Sequence, residues 1–134
     1  MMRRRVGAAR VGRLATLTRS GTPHLVPICF VLEGSRIVTA LDSKPKSTRA
    51  LQRFDNVRHN PAVSILVDHY DEDWSQLWWI RVDGTARVID DGPSLDEAIT
   101  ALREKYRGQY GLHTPSAPAI EVSVDRWVGW AAGG

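Results

Sequence analysis

The residues best equipped for chemistry in this chain form one run, positions 42–49, reading Asp-Ser-Lys-Pro-Lys-Ser-Thr-Arg. Lys44, Lys46 and Arg49 supply three cations, and Ser47 and Thr48 supply hydroxyls. The run follows the strand-like sequence Ile37-Val38-Thr39-Ala40-Leu41 and precedes a segment that reads as a helix. A strand-to-helix junction of this composition suits an anion. N–H groups at a helix N-terminus face it, and Lys and Arg neutralise it. The ligand class suggested is a phosphorylated cofactor. From composition alone, a solvated basic turn stays open.

Other chemistries find less support. His24, His59, His69 and His113 show no metal-ligand spacing, so no metal is expected. No Ser, Cys or His is paired as nucleophile and base, which disfavours hydrolysis. No glycine-rich dinucleotide fingerprint is present. Asp68, His69 and Tyr70 offer a proton to a substrate only if one comes within hydrogen-bond reach. Cys29, the single cysteine, lies in an apolar run and reads as a small buried hydrophobe. With no internal disulfide available, a cytoplasmic location is the default expectation.

Composition sets the frame. The 134 residues suit one domain spanning 1–134, and 43% hydrophobic with 25% charged residues is ordinary for a globule. The net charge of +3 is mildly basic. Arg3, Arg4 and Arg5 precede no apolar stretch and read as a solvated terminus rather than a targeting signal. Cations cluster at one turn instead of alternating with aromatics along a face, so nucleic-acid binding is not expected. The longest apolar run, 26–32, is seven residues, too short for a membrane span.

The elements that must position the basic run follow from periodicity. Residues 13–18 alternate as a strand, and Gly21 supplies a turn that needs positive φ. A second strand covers 23–32. Both its faces are largely apolar, which predicts burial on two sides, and Pro27 marks an edge or bulge. Glu33-Gly34-Ser35 closes a hairpin into a third strand, 36–41. A short helix is expected over 47–53, capped by Ser47 or Thr48. Strands follow at 62–67 and 77–89. In the latter, Trp78, Ile80, Val82, Ala86 and Val88 share one face, and Gly84 marks a bend or bulge. Residues 93–106 have helical period with Leu95, Ile99 and Leu102 on one side and Ser94 at the cap. Residues 110–118 read as a loop and 120–124 as the last strand, with Trp127 and Trp130 beyond it. Six strands and two or three short helices suit a small antiparallel β-barrel.

The order of these segments, with Pro23-His24-Leu25-Val26-Pro27, Lys44-Pro45-Lys46, Asn60-Pro61 and Ser64-Ile65-Leu66-Val67-Asp68, resembles the pyridoxamine-phosphate-oxidase-like split-barrel family. The block 64–75, followed by Leu77-Trp78-Trp79 and Asp83-Gly84-Thr85-Ala86, is similar to its actinobacterial branch that uses the deazaflavin coenzyme F420. The resemblance implies a six-stranded antiparallel split barrel that dimerises, with cofactor in a groove between subunits. It implies a homodimeric oxidoreductase passing a hydride from reduced coenzyme F420 to an unsaturated or quinone-like small molecule. Alternatives within the fold are an FMN-binding oxidase or flavin reductase, and a non-catalytic flavin or haem binder. Carried onto this sequence, Lys44 and Lys46 match the phosphate-binding positions, with Ser47 and Arg49 beside them. Thr39, Ala40, Leu41 and Asp42 would lie along the ring and ribityl chain. Val26, Pro27 and Ile28 would back the ring, and Trp74 and Trp78 would sit where the partner subunit approaches. No catalytic side chain is assigned. Relatives carry a longer N-terminal helix before the first strand than the dozen residues here.

Overall fold

The computed structural model describes residues 1–42, 48–110 and 114–133; of residues 42, 48, 49 and 110 only the backbone is described. Helix α1 (Met2–Ala8) leads into β1 (Gly12–Leu17), β2 (Pro23–Ile28), β3 (Val31–Glu33) and β4 (Arg36–Asp42). A 3-10 turn (Thr48–Leu51) runs into α2 (Gln52–His59), then β5 (Ala62–His69), a second 3-10 turn (Trp74–Gln76) and β6 (Trp78–Ile89). Helices α3 (Pro93–Lys105) and α4 (Arg107–Tyr110) precede the last strand, β7 (Pro115–Ala131).

Among the described residues the strands form one antiparallel sheet in the order β2-β1-β5-β6-β7-β4-β3. The sheet is open, with seven strands and four helices, where a six-stranded barrel was expected. The reason lies in the second predicted strand. It breaks at Cys29-Phe30, and its two halves lie on opposite edges of the sheet. The chain itself, rather than a ladder of hydrogen bonds, joins the two edges. Pro27 sits at the end of edge strand β2, where its missing N–H costs least.

One side of the sheet holds the main core, including Leu14, Phe30, Ile37, Ile65, Val82 and Ile120. Phe54 and Val57 of α2 join it, and buried Asn56 donates to Thr16 Oγ1 at 2.9 Å. A second core lies between α3 and the other side of β4 and β7, where Leu95, Ala98 and Leu102 meet Val38, Ala40 and Ala119. Helix α3 starts with Pro93 at its first turn after Gly92 at φ 90°, so Gly92 and not Ser94 is the cap residue. Likewise, no side chain caps α2, which begins after Leu51 and extends to His59, beyond the expected end at 53.

Strand β6 keeps its predicted face: Trp78, Ile80, Val82, Ala86 and Val88 all pack on the main core. The expected irregularity at Gly84 is present, but the extra residue belongs to β7. Asp83 pairs with Arg126 and Gly84 with Val124, which leaves Asp125 unmatched. That insertion reverses the alternation of β7, so Trp127 faces the same core as Val122 and Val124. A side chain at Gly84 would place its Cβ 2.5 Å from Ser123 O.

Three expectations need correction here. The arginine-rich terminus is not a solvated tail. It forms α1, whose Val6 is fully buried in the main core. Arg3 lies over Trp127 at 5.1 Å and Arg5 over Trp78 at 4.9 Å, contacts worth about 0.5–1 kcal/mol each when exposed. Cys29, expected to be buried, is exposed, because the strand ends one residue before it. The predicted loop 110–118 lies in part within α4 and β7. No helix among the described residues is long and apolar enough to cross a membrane.

Candidate cofactor-binding site

At the Cys29-Phe30 connection the chain passes between the two sheet edges, and three side chains, from β4 and the end of α3, hold it. Thr39 Oγ1 of β4 donates to Cys29 O at 2.7 Å. Tyr106, the buried residue that closes α3, places its hydroxyl 3.1 Å from Phe30 N, from which it accepts. The same hydroxyl can donate to Phe30 O or Arg10 O, each at 3.0 Å. Lys105 Nζ donates to Phe30 O at 2.9 Å and lies 4.3 Å from the centre of the Phe30 ring. Its pKa is lowered to about 8, first by burial and then by the nearby Arg10 guanidinium. Burial also raises the Tyr106 hydroxyl, so it stays protonated and able to donate.

Beside this fixed junction lies a cavity of about 220 Å³ lined by Val11, Pro27, Ile28, Cys29, Thr39, Ala40 and Arg53. Pro27, Ile28, Thr39 and Ala40 were all expected to line a cofactor's ring, and the fold brings them together from β2 and β4. The wall they make sets the Pro27, Ile28 and Ala40 side chains beside the Thr39 hydroxyl. Arg53, on the first turn of α2, puts a cation at its margin and lies 5.3 Å from the Phe54 ring centre.

The other expected residues fall elsewhere. Val26 packs on the main core and Leu41 is buried within it, so neither lines the cavity. Lys44, Lys46 and Ser47 lie outside the described residues, as do the side chains of Asp42 and Arg49. Trp74 is 68% exposed in its 3-10 turn. Trp78 stands apart from the cavity, with His69 stacked 6.0 Å away. Sequence reasoning missed Arg53 and the junction residues Lys105 and Tyr106. Arg53 is the next cation after Arg49 in the sequence, four residues on, and that continuation of the basic run was the available signal. Lys105 and Tyr106 carried no local signal, because their partner Phe30 is 75 and 76 residues away, respectively.

Among the described residues no group of His, Cys, Asp and Glu could hold a metal ion. The family model described as pyridoxamine 5'-phosphate oxidase matches residues 2–131. The chain belongs to that family. No protein of curated function matches the sequence significantly. Among solved structures, a conserved hypothetical protein from Mycobacterium tuberculosis is 22% identical, with a TM-score of 0.76 over 98% of this chain and 82% of that one. An FAD-binding protein from Mesorhizobium loti is 22% identical, with a TM-score of 0.68 over 96% and 88% of the two chains. HutZ, the haem storage protein of Vibrio cholerae, is 16% identical, with a TM-score of 0.71 over 97% and 91%. At these identities the similarities establish the fold.

They also correct the expected cofactor. Similar structures include two FAD-binding proteins and a haem storage protein, and these are not F420-linked oxidoreductases. The reading as a coenzyme F420-dependent enzyme passing hydride to an unsaturated or quinone-like acceptor is therefore dropped, with the actinobacterial branch. FMN is matched only through the shared flavin ring. The error has a physical source: a basic anchor suits the phosphates of FAD, FMN and coenzyme F420 alike, and the propionates of haem, so Lys44 and Lys46 never discriminated between them.

Proposed function

We propose that this protein binds a flavin nucleotide, with the ring against the Pro27–Ile28 and Thr39–Ala40 wall and anionic groups toward Arg53. One observation carries this reading: segments of β2 and β4 meet at a braced junction and form a wall of Pro27, Ile28 and Ala40 side chains with the Thr39 hydroxyl among them and a cation at its edge. The residues fit the group in kind. A planar ring packs on apolar strand surface, and a phosphate pairs with a guanidinium. Lys44, Lys46, Ser47 and Arg49 remain proposed as further partners of the phosphates. A bound flavin supplies reversible redox chemistry, while the chain's own residues hold and orient it.

The cavity in one chain is smaller than the roughly 300–1,000 Å³ usual for a ligand of this size. A second copy is proposed to complete it. Pro27 lines the cavity and also lies on the outer face of the sheet, in a cross-strand row with Arg13, Leu66, Arg81 and Val128. That face leaves Leu25 66% and Trp130 50% exposed. Both sides of a two-fold interface would present the same row.

The test is a titration of purified protein with FAD, FMN and haem, following flavin fluorescence and the haem absorbance band, with mass measured by light scattering. Saturable quenching of FAD or FMN by a dimer is expected. Saturation by haem with no flavin binding would replace this reading with a haem binder. A monomer that binds flavin fully would remove the second copy from the site. The doubly substituted Leu25→Arg, Leu66→Arg chain is expected to be monomeric and to bind flavin more weakly.

A further inference from the structure

A second cavity, of about 480 Å³, lies where α1 crosses the starts and ends of β5, β6 and β7, and it shares no lining residue with the first. Arg5, His69, Gln76 and Trp78 line it. It adjoins a smaller apolar recess of about 180 Å³, which shares Met1, Arg5 and Ala131 and adds Ile80 and Trp130. Together they make one site with a polar lobe and an apolar lobe.

The polar lobe has an unfilled donor. The half-buried Arg5 guanidinium lies over the Trp78 ring at 4.9 Å, and among the described residues it makes no hydrogen bond or ion pair. A stacked guanidinium keeps its N–H edge in plane and free to meet a carboxylate in bidentate fashion. Several other arginines of this chain do have an acidic partner: Arg13 with Asp68, Arg19 with Asp55, Arg58 with Asp90 and Arg126 with Asp83. His69, stacked on the same indole, adds a ring nitrogen to the lobe, with Asp71 3.8 Å from its Nε2. Another cavity, beside α3, carries Glu33, Asp96, Glu97 and Glu104 against Arg36, a lining that disfavours an anion.

We infer that the Arg5–Trp78–His69 cavity is a separate binding site for a small aromatic carboxylate. The carboxylate meets the N–H edge of Arg5 and the His69 ring. The aromatic body lies along Trp78 and enters the recess beside Ile80 and Trp130. The recess is apolar enough to prefer a fused ring over a compact acid such as acetate. A site of this kind on α1 gives the arginine-rich terminus a role that packing alone does not.

The probe is 2-naphthoate, with uncharged 2-naphthamide as its control, added to the full chain with no flavin or haem present. Two-dimensional ¹H–¹⁵N spectra are expected to show saturable shifts at the Trp78 and Trp130 indole N–H groups and none at the Thr39 and Ala40 amides. Arg5→Gln is expected to weaken naphthoate about tenfold or more, with Arg5→Lys between it and the wild type. The amide is expected to bind the wild type no better than naphthoate binds Arg5→Gln. Equal affinity for acid and amide, shifts centred on Thr39 and Ala40, or no saturation by the wild type would each overturn the inference. If Arg5→Gln loosens α1, the wild-type shift map and the acid–amide comparison still decide. Because no flavin is present, failure here leaves the first cavity's test untouched.

Discussion

Tyr106 and Phe30 are joined twice: the Tyr106 hydroxyl accepts from Phe30 N at 3.1 Å and lies 3.0 Å from Phe30 O, to which it can donate. Through this one residue, the end of α3 fixes the point where the chain leaves one edge of the sheet for the other. The cavity wall begins at the adjacent Cys29, so the brace and the site are parts of one arrangement.

Removing the brace has a defined cost. Tyr106→Phe keeps the ring but leaves the Phe30 N–H without its partner in a buried setting. A loss of about 1–3 kcal/mol is expected, read from urea unfolding at neutral pH. A loss near zero would mean that water replaces the hydroxyl.

Asp83 makes stability depend on acid pH. The Ser64 hydroxyl donates to its carboxylate at 2.7 Å, and Arg81 and Arg126 also bind it; together they hold its pKa down to about 2. A folded pKa below the unfolded value near 3.9 contributes stability that is full above that value and lost as pH falls toward 2. Asp83→Asn should cost about 1–2 kcal/mol at pH 7, after allowance for partial exposure. The gap from the wild type should narrow between about pH 4 and pH 2. A gap independent of pH in urea melts would show that the carboxylate's charge is not the cause.

Gly84 is required for space. Its Cβ would stand 2.5 Å from Ser123 O and 2.7 Å from Val122 Cγ1 across the β6–β7 ladder. Backbone on the far side cannot swing away as a side-chain tip can. Gly84→Ala should therefore destabilise by about 1–3 kcal/mol in thermal or urea unfolding. An unchanged midpoint would mean that the bulge at Asp125 shifts to accommodate the methyl.

Much of this architecture can be read from residue patterns, and the exceptions have physical reasons. Alternation in 77–89 located β6 and its core face, because period-two patterning survives wherever one face is buried. The break at Cys29-Phe30 was hidden, because an apolar run looks the same whether it stays on one sheet edge or crosses to another. The C-terminal half of β7 was missed because Asp125 interrupts its alternation and Gly129 weakens its strand character. At the candidate site, the family resemblance named Pro27, Ile28, Thr39 and Ala40, and the fold puts these four on one cavity wall. Tyr106 and Lys105 were not, since their role exists only once α3 folds back on Phe30. The basic run that first suggested a phosphate lies mostly outside the described residues, so the cavity wall now carries the site.

The most direct measurement is FAD affinity in the wild type and in Val11→Trp, followed by flavin fluorescence. Val11 lines the cavity yet is 41% exposed, so a larger ring there fills the space without entering the core. Saturable binding by the wild type, weakened about tenfold or more in a variant of unchanged thermal stability, is the predicted result. Equal FAD affinity in the two proteins, or no flavin binding by the wild type, would contradict the placement of the ring against Pro27, Ile28, Thr39 and Ala40.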